Sequence, residues 1–371
     1  HNAIAGLETL QPFLASLLVY FYVKGVFTKN NLKLKPGYMY LSFISFALLF
    51  LVKFSGGFYI SFYLAILIWL IYSRKINMSL QLVKVHLIGV VIFGLTVYLL
   101  WPWLWANPLK LFESFSYFRN AHSGEYFLGS LDQPEWYYYS IYFIATTPPA
   151  ILLLSCISFV SIFLKNTGGL SVRKNQYVKI SILWLLTPFV ASVLGLKQDG
   201  IRYVISYVAP LSLLAGYGYI YTVNSFKNLV YKVAITLVIF LSIGWSIFRF
   251  FPYYLDYYNY FVGGLENVYE RKLLDYGWWG EGIKESILYV NDNYNEVSVL
   301  KLLHPAHTAP EFKEGIENLE YFDYLNKPDV ILLSEYYLYY DREFPFIDGY
   351  KLRKSIKVES MPLVRIYEKK D

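Results

Sequence analysis

About eight apolar runs of near-spanning length occupy this chain, at 10–27, 38–54, 58–72, 86–105, 137–164, 180–196, 203–223 and 232–250, judged against the roughly 20 apolar residues a helix needs to cross a bilayer. They leave little room for a water-soluble fold before residue 250. Composition agrees: 56% of residues are hydrophobic and 20% aromatic, with mean hydropathy +0.37, a balance soluble domains rarely show. The second and third runs turn through Ser55-Gly56-Gly57. Both are short, so tilt or a thinned bilayer is expected.

Basic residues in the loops sort into two alternating sets. One holds Lys24, Lys29, Lys33 and Lys35, then Arg74, Lys75 and Lys84, then Lys165, Arg173, Lys174 and Lys179, then Lys227 and Lys232. The other holds Lys53, then Lys110 and Arg119, then Lys197 and Arg202. The positive-inside bias assigns the richer set to the cytoplasm. The 106–136 loop, the 197–202 turn, His1 and everything after Phe250 are then expected outside, in a multi-pass protein of the plasma membrane. The net charge of +6 is of the kind such loop asymmetry produces and points away from a nucleic-acid partner. The single cysteine, Cys156, lies inside an apolar run, which excludes a disulfide framework or a Cys-based metal site within this chain. The chain opens at His1 with neither a basic n-region nor a small-residue cleavage site. It does not read as a signal peptide, and sequence upstream is expected.

The character changes near residue 251, where Asp, Glu and Asn become frequent. The stretch GIKESILYVNDN has helical spacing, with Ile283, Ile287, Leu288 and Val290 on one side. VSVLKLL, DVILLSE and PLVRIYEK are short β-branched runs bounded by Pro, Asn or Asp, as strands are. The fold class expected is an α-helical polytopic membrane protein over 1–250 with a small extracytoplasmic α/β domain over 251–371. That domain either takes part in function or is a structured tail.

Informative polar residues collect at the expected outer ends of the helices. Trp101, Trp103 and Trp105 stand where the fourth run exits, as an aromatic belt would. Leu109, Phe112, Phe115 and Phe118 recur at spacings of three between Lys110, Glu113 and Arg119, which predicts an amphipathic helix in the interface plane. His122, Glu125, Asp132 and Glu135 follow. Lys197, Asp199 and Arg202 share one short turn. Ionisable groups near a membrane snorkel, pair or work: either the cations snorkel with Asp199 as partner, or two cations at headgroup depth meet a lipid phosphate. Glu8 precedes the first run, where the helix macrodipole favours an acid in any case.

Several signatures are missing. No GxxxxGK[ST] loop and no HExxH occurs, and GWWGEG (277–282) lacks the spacing of a dinucleotide fingerprint. His304 and His307 are separated by Pro305, which argues against a helical metal face.

Taken in order, several stretches resemble the polytopic, lipid-phosphate-sugar-dependent glycosyltransferases of the protein O-mannosyltransferase and aminoarabinose-transferase type. These are GLETLQPFLASLLVYFYVKG, FLVKFSGGFYI, WPWLW with the following NPL, His and YFLG, PEWYYYSIYFIATTPPAILLL, DGIRYVISYVAPLSLLAG, PYYLDYYNYFVGG and DYGWWGEGIKESILYVN. The resemblance implies the GT-C fold and transfer of a sugar from a polyprenyl or dolichyl phosphate carrier to a protein, lipid or glycan acceptor on the outer face. Family members generally carry more helices and a catalytic acid in the first external loop. The resemblance therefore implies that this chain corresponds to the C-terminal part of such an enzyme.

By the same resemblance, Glu8 and His122 are catalytic candidates, and Lys197, Arg202 and Arg119 are candidates for the lipid phosphate. Glu125, Tyr126 and Asp199 are candidates facing the substrate. No cofactor or metal is required, because protein cations can take the leaving-group charge. The rival class is a non-catalytic transporter or assembly scaffold with an extracellular domain. Transport fits less well, since few ionisable residues lie within the runs and no paired broken helices stand out.

Overall fold

The computed structural model describes residues 7–27, 34–72, 80–110, 113, 125–132, 135–161, 172–193, 200–277, 280–302, 310–319, 327–339 and 347–370, with backbone alone at 7–8, 125, 172–175 and 190–193. Its contacts divide the chain into two units.

The first unit is helical. It contains α1 (Leu7–Val26), α2 (Pro36–Val52), a 3-10 turn (Phe54–Tyr59), α3 (Ile60–Tyr72), α4 (Leu80–Leu100), the single turn α5 (Trp103–Ala106), most of α6 (Tyr138–Thr146), α7 (Pro149–Ser161), α8 (Val172–Val193), a 3-10 turn at Ile205–Tyr207, and α9 (Val208–Ser225). The helix α10 (Leu229–Arg249) begins in the first unit and ends in the second. Proline sets several boundaries. Pro36 opens α2 in its first turn, where the missing N–H is no loss. Pro102 follows α4, and Pro149 opens α7.

Four helices among the described residues are long and apolar enough to cross a membrane: 9–26, 54–72, 80–100 and 229–249. A fifth arises if α6 and α7 count as one span, although they meet at a 113° bend. This is fewer than the eight expected. The 137–164 run is broken at Thr147-Pro148-Pro149, because proline removes a donor and disfavours helix before it. The α2 helix is only 17 residues long, and the sequence VRKNQ opens α8 with charge. In α9, Ser, Gly, Tyr, Thr and Asn dilute the apolar run. The α9 helix packs instead against α7, where Gly218 lies so close that a Cβ would stand 1.9 Å from the Leu154 carbonyl oxygen.

The outward faces of the spans are apolar. Leu64, Ile68, Leu87, Val91 and Leu95 are all more than half exposed, and α10 has no buried residue. Surfaces of that extent are compatible with a membrane protein.

The second unit comprises Glu125–Asp132, Ala145–Pro148 and Ile239–Asp371. Its division from the helical unit falls inside α10, earlier than the expected boundary at 250. The hairpin β1 (Glu125–Phe127) and β2 (Ser130–Asp132) turns through Leu128 and Gly129, both at positive φ. Their N–H groups donate to Leu273 O (2.7 Å) and Lys272 O (3.2 Å). After α11 (Gly264–Glu270) and α12 (Ile283–Asn293) come five strands: β3 (Val297–Leu302), β4 (Ile316–Leu319), β5 (Val330–Ser334), β6 (Tyr350–Val358) and β7 (Met361–Lys369), with the short helix α13 (Glu335–Tyr339) after β5. Their order is β4-β3-β5-β7-β6. The first three are parallel, and β7 and β6 are antiparallel to their neighbours.

Strand β5 is buried along its whole length, as a central strand covered on both faces must be. Val330, Leu332, Val364 and Ile366 face Ile283, Ile287 and Val290 of α12. Leu300, Leu302, Ile331 and Leu333 face the other way, toward Tyr350 and Tyr367. This is the α/β domain expected from the sequence, with β4 and β6 added.

One buried ion pair ties α13 to β7. Glu335 is 1% exposed and accepts Arg365 Nε at 2.8 Å and Nη2 at 2.9 Å, while the Tyr269 hydroxyl donates to the same carboxylate. Arg365→Met strands that carboxylate in the interior. The expected loss of stability in the second unit is about 3 kcal/mol, read as a fall in the denaturation midpoint. Glu335→Gln in the same background restores part of it.

Candidate functional site

The helical unit brings four separated sequence stretches to one place. Lys53 ends α2 in extended conformation, and its N–H still bonds Leu49 O. The chain then folds into the 3-10 turn over Phe54–Tyr59. Gly56 permits this, since a Cβ there would lie 2.5 Å from the Leu49 carbonyl oxygen. Ser55 accepts a hydrogen bond from Gln11 Nε2 of α1 at 2.8 Å. The Tyr59 hydroxyl accepts Trp184 Nε1 of α8 at 2.9 Å and hydrogen-bonds Ser206. Phe54 packs its ring 5.7 Å from Trp101.

These anchors bring the hairpin against the segment that follows residue 200. There the Gly200 N–H donates to the Tyr138 hydroxyl at 2.8 Å, and Gly200 itself has φ +57°, a conformation glycine adopts freely. Tyr138 is fully buried against Tyr142 and Tyr139. Tyr203 therefore sits next to Lys53, whose ammonium lies 4.1 Å from the ring centroid. The Arg202 guanidinium carbon lies 5.2 Å from the same centroid. Two cations stand around one aromatic ring, each within cation–π range.

Directly after Lys53, Phe54, Gly57 and Phe58 begin the wall of an apolar groove of about 900 Å³. It continues between α2, α3 and α4 along Phe46, Leu67, Phe93 and Val97, as far as His86. From Val97 to His86 it follows α4 for about 16 Å, at 1.5 Å per helical residue. Chemically, the helical unit offers two cations around Tyr203 and, beginning one residue after Lys53 in the chain, a long apolar groove whose lining includes neither cation. That suits an amphiphile with an anionic head.

Of the residues singled out from the sequence, Arg202 is in this cluster. Glu8 lies in the first turn of α1, one turn before Gln11, with its side chain outside the described residues. Glu125 begins β1, again with backbone only. His122, Arg119, Lys197 and Asp199 lie outside the described residues, as do His304, His307 and most of the expected amphipathic helix over 108–119. Tyr126 is 6% exposed in the second unit. Its ring packs 5.2 Å from that of Tyr339, and its hydroxyl accepts Lys272 Nζ at 3.2 Å. Its surroundings are those of a side chain holding the β1–β2 hairpin to Lys272 and Tyr339.

Lys53, Gln11 and Tyr203 were not singled out from sequence. The available signal was Lys53 inside the Lys-Phe-Ser-Gly hairpin, a lone cation in an otherwise apolar stretch.

The second unit holds a separate buried acid in the PYYLDYYNYFVGG stretch. Asp256 is 1% exposed. Its Oδ1 accepts the Gly277 N–H at 3.0 Å, and its Oδ2 has no hydrogen-bond partner. Burial first, and then the nearby Glu281 carboxylate, hold this carboxyl well above the usual range, against the Gly277 N–H that favours ionisation. Nearby, Asn259 closes the 145–148 segment: its Nδ2 donates to Thr147 O at 2.6 Å and its N–H to Ala145 O at 2.8 Å.

The raised carboxyl of Asp256 has a definite consequence. The folded chain keeps this proton after the unfolded chain has lost it, so the contribution to stability falls as pH climbs from about 4 toward neutrality. Asp256→Asn removes that slope. Melting temperatures of the two proteins should coincide near pH 4 and diverge in favour of the variant at about pH 8; parallel curves would contradict this.

Compared with models of known families, with curated proteins and with solved structures, the chain matches none of them.

Proposed function

We propose that this chain belongs to a membrane glycosyltransferase that moves a sugar from a polyprenyl or dolichyl phosphate carrier to a protein, lipid or glycan acceptor. The observation that carries this reading is the pair Lys53 and Arg202 around Tyr203, in the unit that also holds an apolar groove whose wall begins at Phe54, the residue after Lys53. The isoprenoid chain occupies the groove, and the two cations hold the phosphate. The ordered resemblance to the GT-C enzymes points the same way, since FLVKFSGG and DGIRY are two of its stretches.

The reaction follows from the charges. An acceptor hydroxyl oxygen attacks the anomeric carbon as the bond from that carbon to the phosphate oxygen breaks. The electron pair leaves on the phosphate, whose charge grows as the bond lengthens. Preorganised cations at that oxygen stabilise the transition state more than the ground state. The hydroxyl proton passes to a carboxylate base. Glu8 serves beside it as an acid that orients acceptor or base. Arg119 and His122 assist at the phosphate or its loop. The reading calls for no metal ion, because the developing charge falls on fixed side-chain cations. The second unit lies on the outer face of the membrane, with the acceptor.

Transfer of labelled sugar from a panel of polyprenyl-phosphate sugars to acceptors tests the reading in reconstituted full-length protein. Lys53→Ala and Arg202→Ala should each lower turnover roughly 100-fold, the scale of losing one charge-stabilising donor. Unchanged transfer in Arg202→Ala would remove the clamp. A folded protein that neither binds nor turns over any carrier would leave a transporter or scaffold as the better description.

A further inference from the structure

The segment that follows α10 is built inside out for a domain in water. Between residues 250 and 262 the polar side chains of Asp256 and Asn259 are buried, while Phe251, Tyr260 and Phe261 are each more than half exposed. Tyr254 and Leu255 are exposed as well. Single exposed apolar residues are ordinary, but buried polar groups beside a run of exposed rings are not. The turn that presents these rings is fixed by hydrogen bonds. The Asn259 side chain accepts the Phe261 N–H at 2.9 Å, and Asn259 O accepts the Gly264 N–H at 3.0 Å. Asn259 in turn is held by Ala145 O and Thr147 O of the same unit.

The rings stand where α10 ends. The Tyr260 centroid lies 5.4 Å from the guanidinium carbon of Arg249, the last residue of α10. Arg249 also pairs with Glu359 in the β6–β7 turn. Phe251 follows Arg249 by two residues, so their Cα atoms are at most about 7 Å apart. Its ring packs 6.2 Å from that of Tyr254. Lys232 and Arg249 are the two charged residues of α10, and about 26 Å of helix separates them. That is close to the thickness of a hydrocarbon core. No residue of α10 is buried, so its whole surface is open to lipid. A helix set in a bilayer by these two charges brings headgroups to the level of Arg249, and amphipathic rings favour that level. Lipid is therefore the occupant that α10 itself delivers to the patch, whereas a protein partner would have to displace it.

We propose that Phe251, Tyr254, Tyr260 and Phe261 form an interfacial anchor that seats the second unit on the lipid surface, with the rings at the boundary of headgroups and acyl chains. The Arg249–Glu359 pair ties the β6–β7 turn to the same level. The second unit then rests on the membrane instead of hanging from α10 by one strand of chain. This anchor is independent of the glycosyltransferase reading and would serve an enzyme or a scaffold alike.

The test uses full-length protein in phosphatidylcholine nanodiscs. In a Cys156→Ser background, Phe261→Cys and Leu352→Cys are each labelled with an environment-sensitive fluorophore. Leu352 is an exposed residue of β6; it lies seven residues before Glu359, roughly 23 Å along the strand, and serves as the control. Lipids spin-labelled close to the headgroup should quench the fluorophore at 261 several-fold more than at 352, since interfacial side chains reach about 5–10 Å into the boundary. Equal quenching at the two positions would overturn the proposal. So would a label at 261 that spin-labelled lipid does not reach and that is shielded only in discs holding two copies, because the patch would then be a contact between copies. Unaltered protein supplies a second measurement, whether or not the variants fold. Phosphatidylcholine carrying a photoreactive group near its ester linkage should crosslink to the 251–261 segment, and crosslinks confined to the apolar helices would overturn the proposal.

Discussion

The Tyr59 hydroxyl is the junction on which the candidate site depends. It accepts a bond from Trp184 and shares one with Ser206, and it stands at the end of the hairpin that begins with Lys53. In an apolar medium there is no water to replace a lost partner, so such a bond specifies one packing among many. For helices set in a bilayer, hydrophobic attraction cannot do so, because lipid chains are as apolar as the helix faces they would compete with. The register of α8, the hairpin and the segment after Gly200 is therefore set by a few polar contacts. Gln11 to Ser55 and Gly200 to Tyr138 belong to the same group.

That convergence gathers like charge. Lys53 and Arg202 both lie over the Tyr203 ring, whose negative face attracts cations. In the second unit the cation Arg365 is held instead by the buried carboxylate of Glu335.

The general architecture was legible in the sequence because it is written in local patterns. Length of apolar run marked most of the helices, and the turn at Ser55-Gly56-Gly57 was visible in its glycines. The three runs VSVLKLL, DVILLSE and PLVRIYEK became strands β3, β5 and β7. Strand β6 was missed because YKLRKSIKV carries four basic residues and is exposed at most positions, as an edge strand is. Strand β4 was missed because four residues carry no usable period. Counting spans by apolar length overstated their number, since α9 is built for helix contact at Gly218 and not only for lipid. The site was legible only in part. Arg202 stood out as a cation in a short turn, but its neighbour Lys53 lies nearly 150 positions earlier. Only contacts over long separations, such as Trp184 with Tyr59, bring such residues together.

The groove and the cations contribute differently to recognition. An isoprenoid tail moving from bilayer to groove leaves one hydrocarbon environment for another, so little hydrophobic free energy is released. On the proposed reading, affinity would then come from the head, where phosphate exchanges interfacial water for Lys53 and Arg202. What the groove supplies is position. On the proposed reading, a tail lying along α4 would fix where its phosphate can stand, toward Phe54, the chain neighbour of Lys53. A soluble sugar phosphate would meet the same cations without that constraint. By this argument a glycosyltransferase of the proposed kind would prefer a carrier-linked donor through placement of the reacting bond more than through tightness of binding, as expected when orientation rather than adhesion accelerates a reaction.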